Sequence, residues 1–334
     1  MIKAKTVFVL GAGAHCPYGL PDGAELIRKI VQMLPSDAND RNSAFRDCFF
    51  ELYQNKIGSI GISLMDFKHR LTFAGQRSID GFLAANAKEK GFPEIGKLAV
   101  ARVLLPLEFS ADFSFLRRTE PGRVDQDWMS FLFSHMLEGC VNKTIEYFLD
   151  ANKLSFVTFN YDRTLEHFLH VRLVNSFGIS PELALEKAKK FKIVHVYGSL
   201  GEFSTEALSH KAATIRARPP GPRDPFTPTE YREAANSIRL MYDDRISDQL
   251  IADAKEEILS AEVVCFLGFG FDPDNITRLE LNTGCAGKHV GATKYGVAEG
   301  DWNRTITAMS PTQFVNANRE WDSLAFLHET NMFR

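Results

Sequence analysis

Two polar clusters in this 334-residue sequence hold the side chains best suited to chemistry. The first is Asn160-Tyr-Asp162, and the second places His195 two residues before Tyr197-Gly198-Ser. Histidine has an unperturbed pKa near neutrality, so His195 could accept a proton as a general base. The amide and carboxylate of the first cluster could orient a polar substrate through hydrogen bonds. These residue types indicate a site that holds a small polar molecule and moves a proton.

Each cluster follows a short apolar run of the kind that forms a buried parallel strand. Strands are predicted at residues 6–10, 155–158, 193–196, 263–267 and 294–297, with a weaker one at 313–315. Helical patterns lie between most of them, such as the amphipathic stretch 248–259. This alternation favours the α/β class, with an open, doubly wound, Rossmann-like parallel sheet. Because ligands bind beyond the carboxyl ends of such strands, the polar clusters should converge on one crevice.

A glycine turn follows the first predicted strand. Gly11, Ala12 and Gly13 form it, and a helix is expected to begin near Gly23. Glycines let the backbone approach a diphosphate, whose charge is favoured by the N–H groups of a following helix. The hydride-transfer fingerprint requires a third glycine where this chain has Cys16, so a dehydrogenase is disfavoured. The alternative is a plain tight turn between strand and helix.

The interval between the first helix and the second strand breaks the alternation. It contains no convincing strand but shows helical segments at 45–53, 63–73, 97–105 and 128–149. We expect residues 35–149 to form a helical insertion subdomain on a Rossmann-like core made of residues 1–34 and 150–334. Prolines in the stretch 212–229 exclude a helix or a central strand, so a long surface loop is predicted there.

Composition narrows the functional classes further. The net charge of -3 and the pI near 6.3 give no global basic field, so direct nucleic-acid binding is not expected. The sequence shows no membrane-spanning run and no signal peptide, which predicts a cytoplasmic protein without membrane association. Five widely spaced cysteines form no Cys-x-x-Cys pair, so neither a disulfide framework nor a zinc or other metal site is expected.

Taken in order, the motifs resemble those of the sirtuin-like NAD hydrolases, many of which are effectors of bacterial anti-phage defence. The matching motifs are Gly-Ala-Gly with Gly19-Leu20-Pro21, then Asn-Tyr-Asp, then a histidine with Gly-Ser, then Gly268-Phe269-Gly270 followed by an aspartate and an asparagine. The segment 78–83, inside the expected insertion, is also similar to a recurrent segment of these proteins. The resemblance covers about residues 7–297. It implies hydrolysis of NAD+, a substrate here, to nicotinamide and ADP-ribose.

The resemblance also implies roles for individual residues. The turn Gly11–Gly13 and the start of the first helix would hold the phosphates of NAD+. Asn160 would position water or the anomeric carbon, Asp162 would bind the carboxamide, and His195 would be the general base or a ribose-hydroxyl partner. Other residues would line the pocket, with the last three on the adenosine side: Tyr197, Gly198, Gly268, Phe269 and Gly270.

One position departs from the family pattern. Related sequences place histidine directly before Gly-Ser, and this chain has Tyr197 there. Residues two apart on a strand face the same side, so His195 could serve the same pocket. A phenol with a pKa of about 10 is a poor base at neutral pH, which favours His195. The zinc module and the Phe-Arg-Ser step of protein-deacylating sirtuins are missing, which argues against an acyl-lysine substrate.

Several alternatives stay open at this point. Asp272 and Asn275 either line the pocket or cap a helix starting at Ile276, and Asp80 either touches the ligand or is a capping or exposed aspartate. Unregulated NAD+ cleavage would kill the host, so gating is expected through a homo-oligomer or a separate partner such as a HerA-type ATPase or a short Argonaute. The rival functions are a catalytically silent module that binds NAD or ADP-ribose, and an ADP-ribosyltransferase.

Overall fold

A wholly parallel six-stranded sheet forms the centre of the computed structural model, which describes residues 1–36, 44–53, 61–111, 113, 127–204, 226–240, 244–309, 311, 313–315, 318–330 and 332. The strands are β1 (Thr6–Leu10), β2 (Leu154–Thr158), β3 (Ile193–His195), β4 (Val263–Leu267), β5 (His289–Ala292) and β6 (Gln313–Val315). Their order across the sheet is β3-β2-β1-β4-β5-β6. Every residue of β1, β2 and β4 is buried, as in sheets that helices cover on both faces. The predicted α/β, Rossmann-like fold is confirmed.

Helices connect the strands of this sheet. After β1 come two 3-10 turns (Ala12–Ala14 and Cys16–Tyr18) and α1 (Gly23–Met33). The helices between α1 and β2 are α2 (Ala44–Tyr53), α3 (Gly61–Phe73), α4 (Ile79–Ala85), α5 (Phe92–Ser110), α6 (Trp128–Leu137) and α7 (Ile145–Ala151). The later helices are α8 (Thr164–Phe177), α9 (Pro181–Ala188), α10 (Pro228–Ser237), α11 (Asp244–Ser260), α12 (Pro273–Arg278), α13 (Leu281–Gly284), α14 (Glu299–Met309) and α15 (Ser323–Thr330).

The register of the sheet sets the carboxyl ends of four strands at one level. Leu10 of β1 pairs with Thr158 of β2 and with Leu267 of β4. Thr158 in turn pairs with His195 of β3. The strand order reverses between β1 and β4, and open α/β sheets bind ligands beyond the strand ends at such a reversal. The loops that follow these four strands therefore surround one edge of the sheet.

The expected run of helices after α1 is confirmed, since the described residues between α1 and β2 form helices and no strand. These helices share an aromatic core in which Phe67 contacts the rings of Phe82 and Phe92, with centroids 5.3 and 5.2 Å away. The 19-residue helix α5 packs along α10 from the later part of the chain. Arg102 of α5 lies over the ring of Tyr231 in α10, 4.4 Å from its centroid. Whether residues 35–149 are a separate subdomain stays a prediction.

The predicted strand at 294–297 is wrong. This segment is a turn in which Gly296 has φ +74° and Tyr295 is exposed, and the neighbouring strand is β5. The sequence hid β5 because Gly291 interrupts its apolar pattern. A Cβ at that glycine would lie 2.6 Å from Met332 Cε, so the Met332 side chain packs where a larger residue would have to displace it.

Two helix boundaries also differ from the expected ones. The predicted helical segment 128–149 is two helices, because Gly139 and Asn142 adopt positive φ between α6 and α7. Helix α10 begins at Pro228, inside the predicted loop 212–229. Proline fits the first helical position, and Thr227 with Glu230 forms a capping box there. Residues 212–225 of the predicted loop lie outside the described residues.

Candidate functional site at the carboxyl ends of the strands

Asn160 connects the loop after β2 to the glycine turn after β1. Its amide Nδ2 donates to the carbonyl oxygen of Gly11 at 3.2 Å, and its backbone N–H donates to Oγ1 of Thr158 at 3.1 Å. The side chain is buried, so both bonds form away from bulk water. The structure therefore brings the predicted Asn160 and the predicted glycine turn together at the β1 end of the reversal.

The glycine turn packs directly on the loop after β4. Gly13 N–H donates to the carbonyl oxygen of Gly268 at 3.1 Å, and a Cβ on Gly11 would lie 2.4 Å from that same oxygen. Gly268 itself has φ +57°, and a Cβ there would lie 2.0 Å from the backbone nitrogen of Ala14. Close packing of the two loops is thus enough to explain why glycine occupies these positions, whether or not a ligand binds there. Their role in holding phosphates stays a prediction.

The start of α1 is already capped by a carboxylate. Two 3-10 turns separate it from the glycine turn, and the Asp22 side chain accepts the N–H of Glu25 at 2.8 Å. An anion at this helix terminus would therefore meet the negative charge of Asp22 and find one N–H group already bonded. This geometry is unfavourable for the phosphate contact that the sequence predicted at the start of the first helix.

Asp162 pairs with a histidine that the sequence analysis did not single out. Nδ1 of His15, just beyond the glycine turn, lies 2.8 Å from Asp162 Oδ1, and the exposed fractions of the two residues are 1% and 4%. Burial alone would raise the pKa of Asp162, but the charge and hydrogen bond of His15 and the bonds from Thr164 outweigh it and lower the pKa to about 2. Asp162 is therefore ionised at neutral pH. A histidine so soon after the turn was the signal that could have revealed the pair.

His195 lies at the end of β3 with both ring nitrogens engaged. Nδ1 donates to the carbonyl oxygen of Asn160 at 2.8 Å, and Nε2 lies 2.7 Å from Glu166 Oε1. Burial lowers the pKa of this histidine, but Glu166 and the bond to Asn160 raise the pKa by more than burial lowers it. The net shift of the pKa is therefore upward. The ring consequently holds the backbone of Asn160 in place. Sequence reasoning missed Glu166, which lies in the first turn of α8.

Tyr197 lies beside a second group of polar side chains. Its hydroxyl donates to Oδ1 of Asn275, and burial raises its pKa further above the ordinary range, with a contribution from the charge of Asp80. Asp80 accepts a hydrogen bond from Tyr161, and burial raises the pKa of this carboxyl to about 6. Asp80 therefore contacts the site through Tyr161, which lies between Asn160 and Asp162. The sequence left open whether Asp272 and Asn275 line the pocket or cap a helix. Asp272 caps α12, which starts at Pro273 rather than Ile276. Asn275 contacts the site through its hydrogen bond with Tyr197.

The aromatic ring of Phe159 connects the two sides of the crevice. Its centroid lies 5.6 Å from that of Tyr197 and 5.0 Å from that of the buried Phe269. Gly198 has φ +69° and pairs with Ile238, so its backbone conformation is explained by this bridge. Gly270 is exposed, and a Cβ there would meet no atom within 4 Å. Among the predicted binding glycines, Gly270 therefore has open space beside it.

The helices between α1 and β2 support both loops of the site. Arg163, next to Asp162, forms a bidentate pair with the buried Glu108 of α5, with Nε–Oε1 and Nη2–Oε2 distances of 3.0 and 3.1 Å. On the other side, Nε1 of Trp128 in α6 donates to the carbonyl oxygen of Ala14 at 2.7 Å. Each half of the His15–Asp162 pair is therefore fixed from outside the sheet.

A cavity lies next to the Arg163–Glu108 pair in the described part of the chain. Its volume is about 370 Å³, and Glu108, Arg163 and His167 are among the residues that line it. Asn160, Asp162 and His195 do not line it. Within the described ranges, no group of three or more histidine, cysteine or acidic residues could hold a metal ion, and no helix is long and apolar enough to cross a membrane.

Comparisons with known proteins give fold-level likeness only. No family model and no curated protein matches the chain. Nine chains of solved structures match, and one is a sirtuin studied for substrate affinity, 14% identical over 98% of this chain and 93% of that chain, with a TM-score of 0.37. Another is Sir2 with the inhibitor EX-527, 2'-O-acetyl-ADP-ribose and a deacetylated p53 peptide, with 14% identity, coverages of 98% and 94% and a TM-score of 0.35. A third is a Sir2 histidine-to-tyrosine mutant with a p53 peptide and NAD. It is 13% identical over 97% of this chain and 91% of that chain, with a TM-score of 0.36.

Proposed function

We propose that this chain is an NAD+ hydrolase that cleaves the bond between nicotinamide and ribose. The observation that carries the proposal is the hydrogen bond from Asn160 to Gly11 at the reversal of strand order, with Asp162 two residues away. That arrangement puts an amide, a carboxylate and a glycine turn at the edge where open α/β sheets bind ligands. The order of the sequence motifs also supports it. Neither the glycine packing nor the carboxylate cap of α1 favours it.

The reaction asks little of the protein beyond orientation and a proton acceptor. Nicotinamide in NAD+ already carries a positive charge on its ring nitrogen, and the electron pair of the broken bond neutralises it. Water adds to the anomeric carbon and loses one proton, which gives nicotinamide, ADP-ribose and H+. The transition state resembles an oxocarbenium ion, as in glycoside cleavage. In the proposal, Asn160 orients the ribose or the water, and Asp162 belongs to the nicotinamide end.

The role of His195 as the base stays a prediction. Its two ring nitrogens bond Asn160 and Glu166, which supports a part in positioning Asn160. The same observation favours a second candidate function, a module that binds NAD or ADP-ribose without turnover. In either case we propose a cytoplasmic effector of anti-phage defence, gated by self-assembly or by a separate partner such as a HerA-type ATPase or a short Argonaute.

The test is nicotinamide release from NAD+ by the purified protein and by two variants, Asn160→Ala and His195→Ala. Asn175→Ala is the matched control, since Asn175 is exposed on α8 and bonds only its own helix. We expect release by the wild type and the control, and loss in Asn160→Ala. Equal rates in the control and in Asn160→Ala would contradict the proposal.

Calorimetry of NAD+ binding to the same samples separates the two candidate functions. Binding without release by the wild type supports the silent module, or a hydrolase that is inactive without its gating partner. The absence of both binding and release contradicts both candidates. Thermal unfolding of each variant shows whether a lost activity reflects a lost fold.

A further inference from the structure

The His15 ring has one nitrogen that the protein leaves unsatisfied. Nδ1 bonds Asp162, but Nε2 is buried and has no hydrogen-bond partner among the described residues. A buried polar atom without a partner destabilises the fold, so such an atom calls for an explanation. His15 lies two residues after the glycine turn, which places this atom in the loop after β1 at the reversal of strand order.

The partner on Nδ1 decides what Nε2 can do. Asp162 also accepts the backbone N–H of Thr164 at 3.2 Å, which fixes the carboxylate, and an ionised carboxylate only accepts hydrogen bonds. Whenever the ring is neutral, it therefore carries its hydrogen on Nδ1, and Nε2 then presents a lone pair. This is the arrangement in which a carboxylate fixes the tautomer and orientation of a histidine base.

The surroundings make the orientation rigid. Tyr18 meets the His15 ring edge-on, with centroids 6.4 Å apart and planes at 85°. The Tyr18 hydroxyl donates to Asp127 at 2.8 Å and accepts the N–H of Met129 at 3.0 Å, so α6 holds it. A base works only when it is held in position, and here both the ring and its carboxylate are held.

We propose that His15 is the proton acceptor of the NAD+-cleaving site and that Asp162 positions it. The inference rests on the proposed function. As water adds to the anomeric carbon and the bond to nicotinamide breaks, one proton of the water moves to Nε2 of His15. The hydrogen on Nδ1 stays bonded to Asp162, so the ring becomes an imidazolium and later releases the proton to solvent. The ligand recognised at Nε2 is thus the water or ribose hydroxyl of a nicotinamide nucleotide.

A second buried histidine serves as the control for this inference. Nε2 of His170 in α8 lies 2.9 Å from the carbonyl oxygen of Pro181, and its Nδ1 has no partner among the described residues. His170 therefore shares the burial and the single partner of His15. It differs because it lies within α8, away from the strand ends, and because its partner is a carbonyl group.

The experiment compares kcat and KM for NAD+ in the wild type, His15→Ala, His15→Gln and His170→Ala. We expect both His15 variants to lose about 10²–10⁴-fold in kcat with KM changed only a few-fold, because a base acts on the chemical step. His170→Ala should keep kcat within about threefold even if its melting temperature falls. Added imidazole should restore part of the activity of His15→Ala and none of any loss in His170→Ala. A folded His15→Ala that keeps the wild-type kcat overturns the inference and leaves the hydrolase proposal standing.

A binding readout covers a wild type that binds NAD+ without turning it over. The ¹⁵N resonance of His15 Nε2, assigned by its loss in His15→Gln, should shift when NAD+ is added, and the resonances of His170 should not. An unmoved His15 resonance at saturating NAD+ overturns the inference. A chain that neither binds nor cleaves NAD+ removes the proposed function, and this inference with it.

Discussion

The region around His15 and the region around His195 contain the same kinds of group but satisfy them differently. Each histidine is beside a strand end, and each bonds a carboxylate, Asp162 in one case and Glu166 in the other. His195 also bonds the carbonyl oxygen of Asn160, so both its nitrogens are used, whereas the buried Nε2 of His15 has no hydrogen-bond partner among the described residues. A saturated histidine holds a backbone in place, and one with a free lone pair can take a proton. The expected base, His195, and the proposed base, His15, therefore differ in how many of their ring nitrogens are bonded, and the role of His195 stays a prediction.

The largest effect that this comparison predicts is that of Asp162→Asn. The amide that replaces the carboxylate can donate to Nδ1, so the neutral ring would carry its hydrogen on Nε2 and lose the lone pair there. We expect kcat for nicotinamide release to fall about 10²–10⁴-fold, and the double variant with His15→Ala to lose little more, because the two residues act as one unit. Asp150→Asn, on an exposed residue of α7, is the matched control. Additive losses in the double variant would show that the two residues act independently.

The next effect concerns the stability of the His195 region. Glu166→Gln removes the carboxylate that raises the pKa of His195. A raised folded-state pKa stabilises the fold fully below the unfolded pKa of about 6.5, and the contribution is lost as pH rises through the folded-state pKa. We therefore expect the variant to lose about 1.5–3 kcal/mol of unfolding free energy near pH 6 and less near pH 9.

Urea denaturation at the two pH values measures this difference. Glu146→Gln is the control, since it removes an exposed partner of Lys187 and should change little at either pH. A loss that is the same at both pH values would mean that Glu166 acts through packing and not through the charge on His195.

The fold was predictable because its signals are local. The five residues of β1 are all apolar or β-branched, and glycines follow them directly. Such a run is typical of a buried parallel strand. The convergence of Asn160 on the glycine turn was predictable for the same reason, because parallel strands end at one edge. What failed was local too. Gly291 disguised β5, and the apolar residues at 294–297 imitated a strand in a turn.

The partners within the site were not predictable, because they depend on contacts between distant parts of the chain. His15 and Asp162 are 147 residues apart, and Trp128 reaches Ala14 from 114 residues away. No spacing rule indicates which histidine meets which carboxylate across such distances. The glycines illustrate the converse, since Gly11 and Gly13 matched a phosphate-binding pattern and yet pack on Gly268. One residue type can satisfy either requirement, so the pattern alone could not separate them.

The smallest effect that we predict concerns Asp80, on the same side of the crevice as Tyr197. Burial raises the pKa of this carboxyl to about 6, so the folded state favours its neutral form. Because the folded-state pKa of Asp80 is raised, the fold is most stable at pH values below the unfolded-state pKa, where the carboxyl is protonated in both states. This stability is lost as the pH rises through about 6 and the buried carboxyl ionises. Asp80→Asn keeps an acceptor for Tyr161 and removes the charge. The variant should therefore raise the unfolding free energy by about 1–2 kcal/mol near pH 8 and by almost nothing near pH 4. The gain is smaller than the full pKa shift of Asp80 would give, because Asp80 is only half-buried. Asp47→Asn, on an exposed residue of α2, should show no such gain in denaturation curves at the two pH values. A gain for Asp80→Asn that is equal at both pH values would mean that its carboxyl is not the titrating group in this half of the site.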